Sequence, residues 1–406
     1  MQKITSFLQE QSKTLGNWAN TFWLVLGLVT LAKLMIAFNT YGTNDVKYWE
    51  TFLQTAKEFG GLETYKRIWY FNHPPFMLNW LFILDFFANF SGIAFPFWLR
   101  LPAIIADIAI IVLIIKIFNQ IAPNKFSILA LMLLATAPTS IMISGFHGNT
   151  DPVMIFFLIL SIYLLSNNHP VWLAGAALGM SLNIKVVCLI LMPCLFFYLP
   201  DMKKRWEYFL AVGITFLVGS LPYILQGDLK IIIDHVFGYN SQYGIWGLPR
   251  LLSSSLPESL SWINTFYQTK GKYVVLGVIA LLSFWMNSSE KKVPLFIQCG
   301  LLFFVFLAIS SGFGVQYMAW LIPWVILLDI SLIASFYLTS GLFLFLVYNF
   351  WSQGFPWNFA NSDVAGPWTG YIIYYEILCW AVVVLVAFNY LKLVISLKKS
   401  EIAKTA

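Results

Sequence analysis

The chain has 406 residues, of which 59% are hydrophobic and only 10% are charged. A water-soluble globule of this length needs many more charges on its surface, so the composition excludes a soluble protein and indicates a polytopic membrane protein. In so apolar a chain the formal net charge of +6 is not a nucleic-acid signal. The 4 cysteines lie in apolar segments without metal-like spacing and carry no information on disulfides or zinc.

Hydropathy, taken in chain order, predicts a helix bundle that crosses the membrane about twelve times. The N-terminal stretch lacks a short apolar core followed by a small-residue cleavage site, so we expect no cleaved signal peptide. Several segments are short and are expected to tilt little or to break. The predicted spans lie near residues 19–39, 97–118, 126–144, 152–166, 170–183, 185–199, 208–226, 272–287, 294–310, 317–330, 334–351 and 371–391.

The distribution of lysine and arginine predicts the orientation of the bundle. By the positive-inside rule, the side that carries most of these cations is cytoplasmic. Almost all other polar residues then fall in segments that face outward, so the function is expected outside. The cytoplasmic cations are Lys3, Lys13, Lys203, Lys204, Arg205, Lys291, Lys292, Lys392, Lys398, Lys399 and Lys404. The outward segments are residues 40–96, 145–151, 227–271, 311–316 and 352–370.

Residues 73–90 decide whether this orientation is consistent along the chain. Their apolar run is interrupted by Asn79, Asp85 and Asn89 and begins with a Pro-Pro pair, which is typical of a helix lying in the interface or packed against the bundle. We therefore expect this segment not to cross. The alternative, a true span, would place residues 145–151 inside.

Six short motifs follow one another along the first 325 residues. In this order they resemble the GT-C superfamily of membrane glycosyltransferases, which take sugars from polyprenyl-phosphate donors. In that superfamily an acidic residue follows the first span, an aromatic or basic residue precedes a Pro-Pro helix start, and an RLP-like sequence opens the second span. The motifs are TNDVKYW at 43–49, FNHPPF at 71–76, WLRLPA at 98–103, GFHGNTDP at 145–152, LNIKVV at 182–187 and GVQYMAWLIPW at 314–324.

The resemblance implies an all-α, GT-C-like bundle with interfacial helices in the first outward loop. It implies a conserved membrane module over residues 1–226 and a variable one over 227–406. It further implies an inverting transfer of a hexosyl or pentosyl group, of mannosyl, glucosyl or aminoarabinosyl type, from a polyprenyl or dolichyl phosphate. The acceptor would be a hydroxyl of a lipid, glycan or protein, and neither a cofactor nor a nucleic-acid partner is implied.

Asp45 is the predicted general base. Sugar transfer from a lipid phosphate needs a base for the acceptor hydroxyl, whereas the phosphate leaves without a proton. Asp45 lies where the first span reaches the water boundary, and Tyr48 and Trp49 follow at i+3 and i+4, where they can stack on a sugar or prenyl chain. The alternatives are a helix cap for Asp45 and interfacial belt positions for the two aromatic residues.

Two further outward motifs supply polar candidates. His73 either neighbours the donor phosphate or is an ordinary polar residue before a helix start. His147 and Asn149 are expected to converge on a polar substrate, while Asp151 is either a second catalytic carboxylate or the cap of the next span. A divalent ion held by His147, Asp45 and Asp151 is an alternative that we do not favour, because the ligand spacing is missing.

Two cations are predicted to meet the phosphate. Lys185 interrupts two apolar runs, where an ionisable group is costly unless it snorkels, pairs or binds an anion. Arg250 can grip a phosphate with two hydrogen bonds, although a plain interfacial arginine fits equally well. Gln316 and Tyr317 open a later span and are predicted to hydrogen-bond the substrate, with capping and belt roles as the alternatives.

The main rival function is a multi-span transporter or lipid flippase. The sequence shows no repeat in which matching broken helices recur in two halves, as many transporters have. It also lacks a glycine-rich nucleotide loop between a strand and a helix, which favours a lipid-linked donor. The modest outward segments favour a bacterial plasma membrane with the site facing the periplasm. The alternative is an endoplasmic reticulum membrane with the site facing the lumen.

Overall fold

The computed structural model of the protein describes residues 18–121, 127–226, 228–238, 241–289 and 292–405. Within these ranges the chain is almost entirely helical, which confirms the all-α membrane bundle. The expectation for the N-terminal stretch, with Lys3 and Lys13, lies outside the described residues, as do Lys291 and the side chain of Lys404.

The first part of the chain combines long apolar helices with short helices in the outward loop. Each helix is named here in chain order. They are α1 (Ala19–Asn39), α2 (Asn44–Phe59), α3 (Gly61–Arg67), α4 (Phe76–Ser91), α5 (Phe95–Ile121), α6 (Ile128–Ala135), α7 (Pro138–Met142), α8 (Asp151–Ser166), α9 (Val171–Ile184), α10 (Met192–Tyr198) and α11 (Met202–Ile224).

The second part follows the same plan. Two amphipathic helices precede the remaining apolar ones, and each of the predicted spans falls on an apolar helical segment of the described chain. Of these segments, 7 are long enough to cross a membrane, and the others are shorter. The helices are α12 (Leu229–Gly238), α13 (Gly247–Ser255), α14 (Ser261–Asn287), α15 (Leu295–Ala308), α16 (Ile330–Trp351), α17 (Ser362–Ala365) and α18 (Ile372–Thr405).

Three of the predicted spans are broken, and two of them, 185–199 and 317–330, are among the short apolar runs. After α7 the chain forms a π-helical turn over Ile143–His147, and 3₁₀ turns cover Val186–Leu191, Val315–Trp320 and Trp324–Leu327. Irregular backbone at membrane depth is tolerated where it is buried in protein or lines a cavity. The breaks therefore mark where a cavity is to be sought.

A two-residue parallel sheet joins the first and last outward segments, a contact that the sequence did not predict. Strand β1 (Gly42–Thr43) pairs with β2 (Phe359–Ala360). Gly42 has φ of 110°, and a Cβ there would lie 2.7 Å from the carbonyl oxygen of Phe146. The start of α2 is thus held between the π-turn and the C-terminal loop.

Buried polar contacts fix the end of α1. Within the bundle Lys33 Nζ of α1 lies 2.6 Å from Asp107 Oδ2 of α5, an ion pair between two spans. Arg100, from the WLRLPA motif, is fully buried and donates to the carbonyl oxygens of Ala37 at 2.8 Å and Gly145 at 3.2 Å. The motif arginine therefore ties α1 to the π-turn.

Cations gather at one end of the bundle. Arg205 donates to the carbonyl oxygen of Leu199 at 3.2 Å, and Lys292 donates to that of Phe197 at 3.0 Å. Lys398 donates to the carbonyl of Trp285 near the end of α14, at 2.6 Å. Such contacts satisfy terminal helix carbonyls and suit the negative end of the helix dipole.

The topology of α4 can be tested with single cysteines, because all 4 native cysteines are buried. Residues 145–151 are buried and unsuitable for labelling, whereas Trp69 is 85% exposed before α4 and Ala94 is exposed after it. If α4 does not cross, an impermeant thiol reagent added outside should label both Trp69→Cys and Ala94→Cys, and should not label Lys204→Cys. Labelling of only one of the first two would show that α4 spans the membrane.

Candidate active site

The broken helices surround one large cavity of about 950 Å³. Its walls come from the start of α2, the loop before α4, the break after α9, and segments on both sides of the predicted module boundary at residue 226. The structure brings most of the predicted site residues together here. Those that line the cavity are Asp45, Tyr48, Trp49, His73, Asn149, Lys185, Gln316 and Tyr317.

Asp45 lies in the first turn of α2, but it does not cap this helix. Thr43 is the N-cap, and its hydroxyl oxygen accepts a hydrogen bond from the backbone N–H of Asp45 at 3.2 Å. The carboxylate of Asp45 is thereby free for other contacts. Its Oδ2 accepts from Asn149 Nδ2 at 2.7 Å and lies 3.1 Å from His147 Nε2.

The second oxygen of Asp45 is open. Among the described residues Oδ1 has no hydrogen-bond partner, and the side chain is 24% exposed in the cavity wall. Burial raises the pKa of Asp45, but the interaction with His147, the hydrogen bond of Asn149 and the charge of Lys185 together hold it below its usual range. Asp45 is therefore an ionised carboxylate with one free oxygen facing the cavity.

His147 and Asn149 reach Asp45 because the chain turns sharply after the π-helical turn. Gly148 has φ of 85°, and a Cβ there would lie 2.2 Å from a methyl group of Val46 in α2. Only glycine fits this approach between the two segments. His147 is 3% exposed and does not line the cavity, and its Nδ1 lies 2.8 Å from the hydroxyl of Tyr348.

Lys185 and Asp151 form a second charged pair beside the cavity. The Lys185 ammonium donates to both carboxylate oxygens of Asp151, at 3.1 Å each, and the indole N–H of Trp320 donates to the same carboxylate. Asp151 is fully buried, whereas the Lys185 side chain is 17% exposed and lines the cavity. A ligand therefore meets the ammonium first, with the carboxylate behind it.

Comparison with known proteins agrees with this arrangement. Residues 72–226 match a family model described as dolichyl-phosphate-mannose-protein mannosyltransferase, and this range contains His73, His147, Asn149, Asp151 and Lys185. This part of the chain is therefore similar to membrane mannosyltransferases, in keeping with the resemblance to the GT-C superfamily. GPI mannosyltransferase 1 of Debaryomyces hansenii is 25% identical over 255 residues, a match that covers 58% of this chain and 58% of that relative.

Aromatic rings form much of the remaining wall of the cavity. The ring of Trp49 lies 4.3 Å from that of His73, and Tyr317 stacks on Trp320 at 4.0 Å. The Lys185 ammonium lies 5.4 Å from the ring of Tyr317. Apolar faces next to a cation suit a ligand that combines a sugar, a phosphate and a hydrocarbon chain.

His73 is neutral in this site. Burial and, to a smaller extent, the charge of Lys185 lower its pKa to about 3, against an opposing effect of Asp45. Its Nδ1 has no hydrogen-bond partner among the described residues. His73 is therefore a neutral group in the cavity wall, and it does not supply a positive charge to a phosphate at physiological pH.

This pKa predicts an acid-dependent loss of stability. An unfolded histidine takes up a proton near pH 6.5, whereas folded His73 does so only near pH 3. The unfolded state then binds more protons between these values, so the His73 contribution is complete above pH 6.5 and falls as the pH drops toward 3. Thermal unfolding in detergent should show wild type losing stability over this window relative to His73→Gln. Parallel pH curves for the two proteins would contradict the assignment.

Three predicted site residues lie away from the cavity surface. Asp151 and His147 stand behind Lys185 and Asp45, respectively. The structure does not bring Arg250 to the cavity, because its guanidinium lies 2.6 Å from the carboxylate of Glu376 and donates to the carbonyl of Ile245. Within this protein Arg250 therefore joins α13 to α18.

Sequence reasoning missed other residues of the site. Lys272, in α14, lines the cavity and forms no ion pair within the described chain. In the sequence it stands at the start of a predicted span, which is an ordinary position for a lysine. Tyr348 and Trp320 lie inside apolar segments, where nothing in the local pattern separates them from packing residues. In the part of the chain that the structure describes, no group of 3 or more His, Cys, Asp or Glu side chains is arranged to hold a metal ion.

Proposed function

We propose that the protein transfers a sugar, of mannosyl type, from a polyprenyl-phosphate donor to an acceptor hydroxyl, with inversion at the anomeric carbon. The observation that carries this proposal is the Asp45 carboxylate, whose Oδ2 is held by two neighbours while Oδ1 remains open in a cavity that also exposes the Lys185 ammonium. One base and one cation are the minimum that this reaction needs.

The reaction follows from these positions. The acceptor hydroxyl gives its proton to Asp45 Oδ1 while its oxygen bonds to the anomeric carbon. The bond from that carbon to the phosphate oxygen breaks at the same time, and the departing phosphate keeps the electron pair. Lys185 stabilises the negative charge that develops on the phosphate. A single displacement inverts the configuration relative to the donor.

A lipid-linked donor is supported by the cavity wall next to Lys185. Apolar side chains from the break after α9 and from α14 line this part of the cavity, and they suit the first units of a prenyl chain. They are Val186, Val187, Ile190, Val275 and Leu276. We propose further that the cavity faces the periplasm of a bacterial membrane, since it lies beside the first half of α14, whereas Lys398 and the other clustered cations lie beside the end of that helix.

Direct measurement of transfer tests the proposal. Purified protein in lipid nanodiscs is given polyprenyl-phosphate [³H]mannose and a lipid extract from the expression host as a source of acceptors, and radiolabel in new products is followed. Wild type should form a labelled product that Asp45→Asn does not form. Asp201→Asn is a matched control, because Asp201 caps α11 and does not line the cavity.

A transporter is the outcome that would overturn the proposal. The same purified protein is reconstituted into proteoliposomes and tested for movement of the labelled lipid across the bilayer. Movement of the intact donor without cleavage of its sugar–phosphate bond, in wild type and Asp45→Asn alike, would replace the glycosyltransferase with a flippase. Product formation with other lipid-linked sugars but not with mannose would retain the enzyme class and change the sugar.

A further inference from the structure

A buried hydrogen-bonded chain runs from the cavity into the bundle. It consists of Asp45 in α2, His147 at the end of the π-turn and Tyr348 in α16. Tyr348 is fully buried, and its hydroxyl contacts His147 Nδ1 at 2.8 Å. Neither the family match, which ends at residue 226, nor any motif assigns a role to Tyr348.

The two neighbours of His147 set the tautomer of its neutral imidazole. An ionised carboxylate is only an acceptor, so the imidazole nitrogen that faces Asp45, Nε2, must carry a hydrogen. In a neutral imidazole the other nitrogen, Nδ1, is then an acceptor, and the Tyr348 hydroxyl is the group that donates to it. The direction of both hydrogen bonds is therefore set from Tyr348 toward Asp45.

We propose that Tyr348 is a positioning residue: its hydroxyl donates to Nδ1 of neutral His147 and fixes the orientation of the ring, so that Nε2–H holds Asp45 Oδ2 and Oδ1 faces the cavity. The catalytic part of this inference rests on the proposed glycosyl transfer, whereas the tautomer does not. Without the Tyr348 hydroxyl, Nδ1 loses its hydrogen bond, and the His147 ring is no longer held on the side opposite Asp45.

The hydroxyl of Tyr348 is separable from the packing of its ring. The ring lies 5.4 Å from that of Phe146 and 5.5 Å from that of Trp357, and phenylalanine keeps both contacts. Tyr337 is a matched control on the same helix, since it is also buried and its hydroxyl donates to the carbonyl of Ile322 at 2.8 Å. Tyr337→Phe and Tyr348→Phe each lose one hydrogen bond, but only the second loses the contact with His147.

Imidazole ¹⁵N chemical shifts report the tautomer without any need for catalysis. The chain has 4 histidines, and His147→Gln identifies the signals of His147 in ¹⁵N-histidine-labelled protein. We expect a protonated Nε2 and an unprotonated Nδ1 in wild type and in Tyr337→Phe, and a changed pair of shifts in Tyr348→Phe. A protonated Nδ1 in wild type, or identical shifts in all three proteins, would overturn the proposal.

Kinetics test the positioning role. Tyr348→Phe should lower kcat about 10-fold, the size of one lost hydrogen bond, with little change in the KM for the donor, whereas Tyr337→Phe should change neither. Equal kcat values for the two variants would leave Tyr348 without a role in transfer. If wild type itself transfers no sugar, the proposed function fails while the ¹⁵N shifts still decide the tautomer.

Discussion

Replacing Asp45 by Asn should lower the rate of sugar transfer by at least about 100-fold, the contribution that general-base catalysis typically makes. The asparagine keeps the size of the side chain, and its carbonyl oxygen can still accept the hydrogen bonds of His147 and Asn149, which now meet Asp45 Oδ2. What it removes is the negative oxygen that takes the proton. Expression, thermal stability and donor binding should therefore stay near those of wild type, as measured by thermal unfolding and by titration with labelled donor.

A purely structural Asp45 predicts the opposite pattern. Because Thr43 caps α2, Asp45 contributes to stability through its contacts with His147 and Asn149, so Asp45→Ala would be less stable and Asp45→Asn nearly active. Normal turnover by Asp45→Asn together with an inactive Asp151→Asn would move the base to residues 145–151. The enzyme class would be unaffected by that result.

The elements that the sequence predicted well are those set by local composition. Apolar runs bounded by polar segments located the spans, and two of the short runs, 185–199 and 317–330, are broken helices, whereas 152–166 and 170–183 are continuous. The motifs around Asp45, residues 145–152 and Lys185 also converge on one cavity, as their order along a GT-C chain implied. Whether each short segment crosses the membrane depends on neighbouring helices and stays a prediction.

The parts that could not be predicted depend on contacts between distant segments. Tyr348 is one of 19 tyrosines and lies in a uniformly apolar helix, so only the fold shows that its hydroxyl meets His147, 201 positions away. Arg250 was predicted as a phosphate ligand because it is the single arginine of residues 227–271. Its partner in the structure, Glu376, lies in the last helix. Likewise, the pairing of β1 with β2 needs the two ends of the chain to meet.

Removing Lys185 should have two separate effects, which the structure allows to be told apart. Lys185→Met leaves the fully buried Asp151 carboxylate with Trp320 as its remaining donor. Breaking a buried ion pair in this way typically costs roughly 3–5 kcal/mol of folding stability. Loss of the ammonium beside the cavity should also lower turnover about 100- to 1000-fold, as removal of a charge-stabilising donor does. A single substitution mixes these effects, since a poorly folded protein is also inactive.

The double variant Lys185→Met with Asp151→Asn separates them. The asparagine that replaces Asp151 is neutral, so the double variant carries no unpaired buried charge, and the new side-chain carbonyl oxygen can still accept from the indole of Trp320. We expect thermal stability to return most of the way to that of wild type while turnover stays as low as in Lys185→Met. Lys185→Arg, which keeps the charge but changes its geometry, should lose less activity than Lys185→Met. If the double variant regained activity along with stability, the pair would serve only to hold the bundle together, and the cation for the phosphate would then be sought at Lys272, which lines the same cavity.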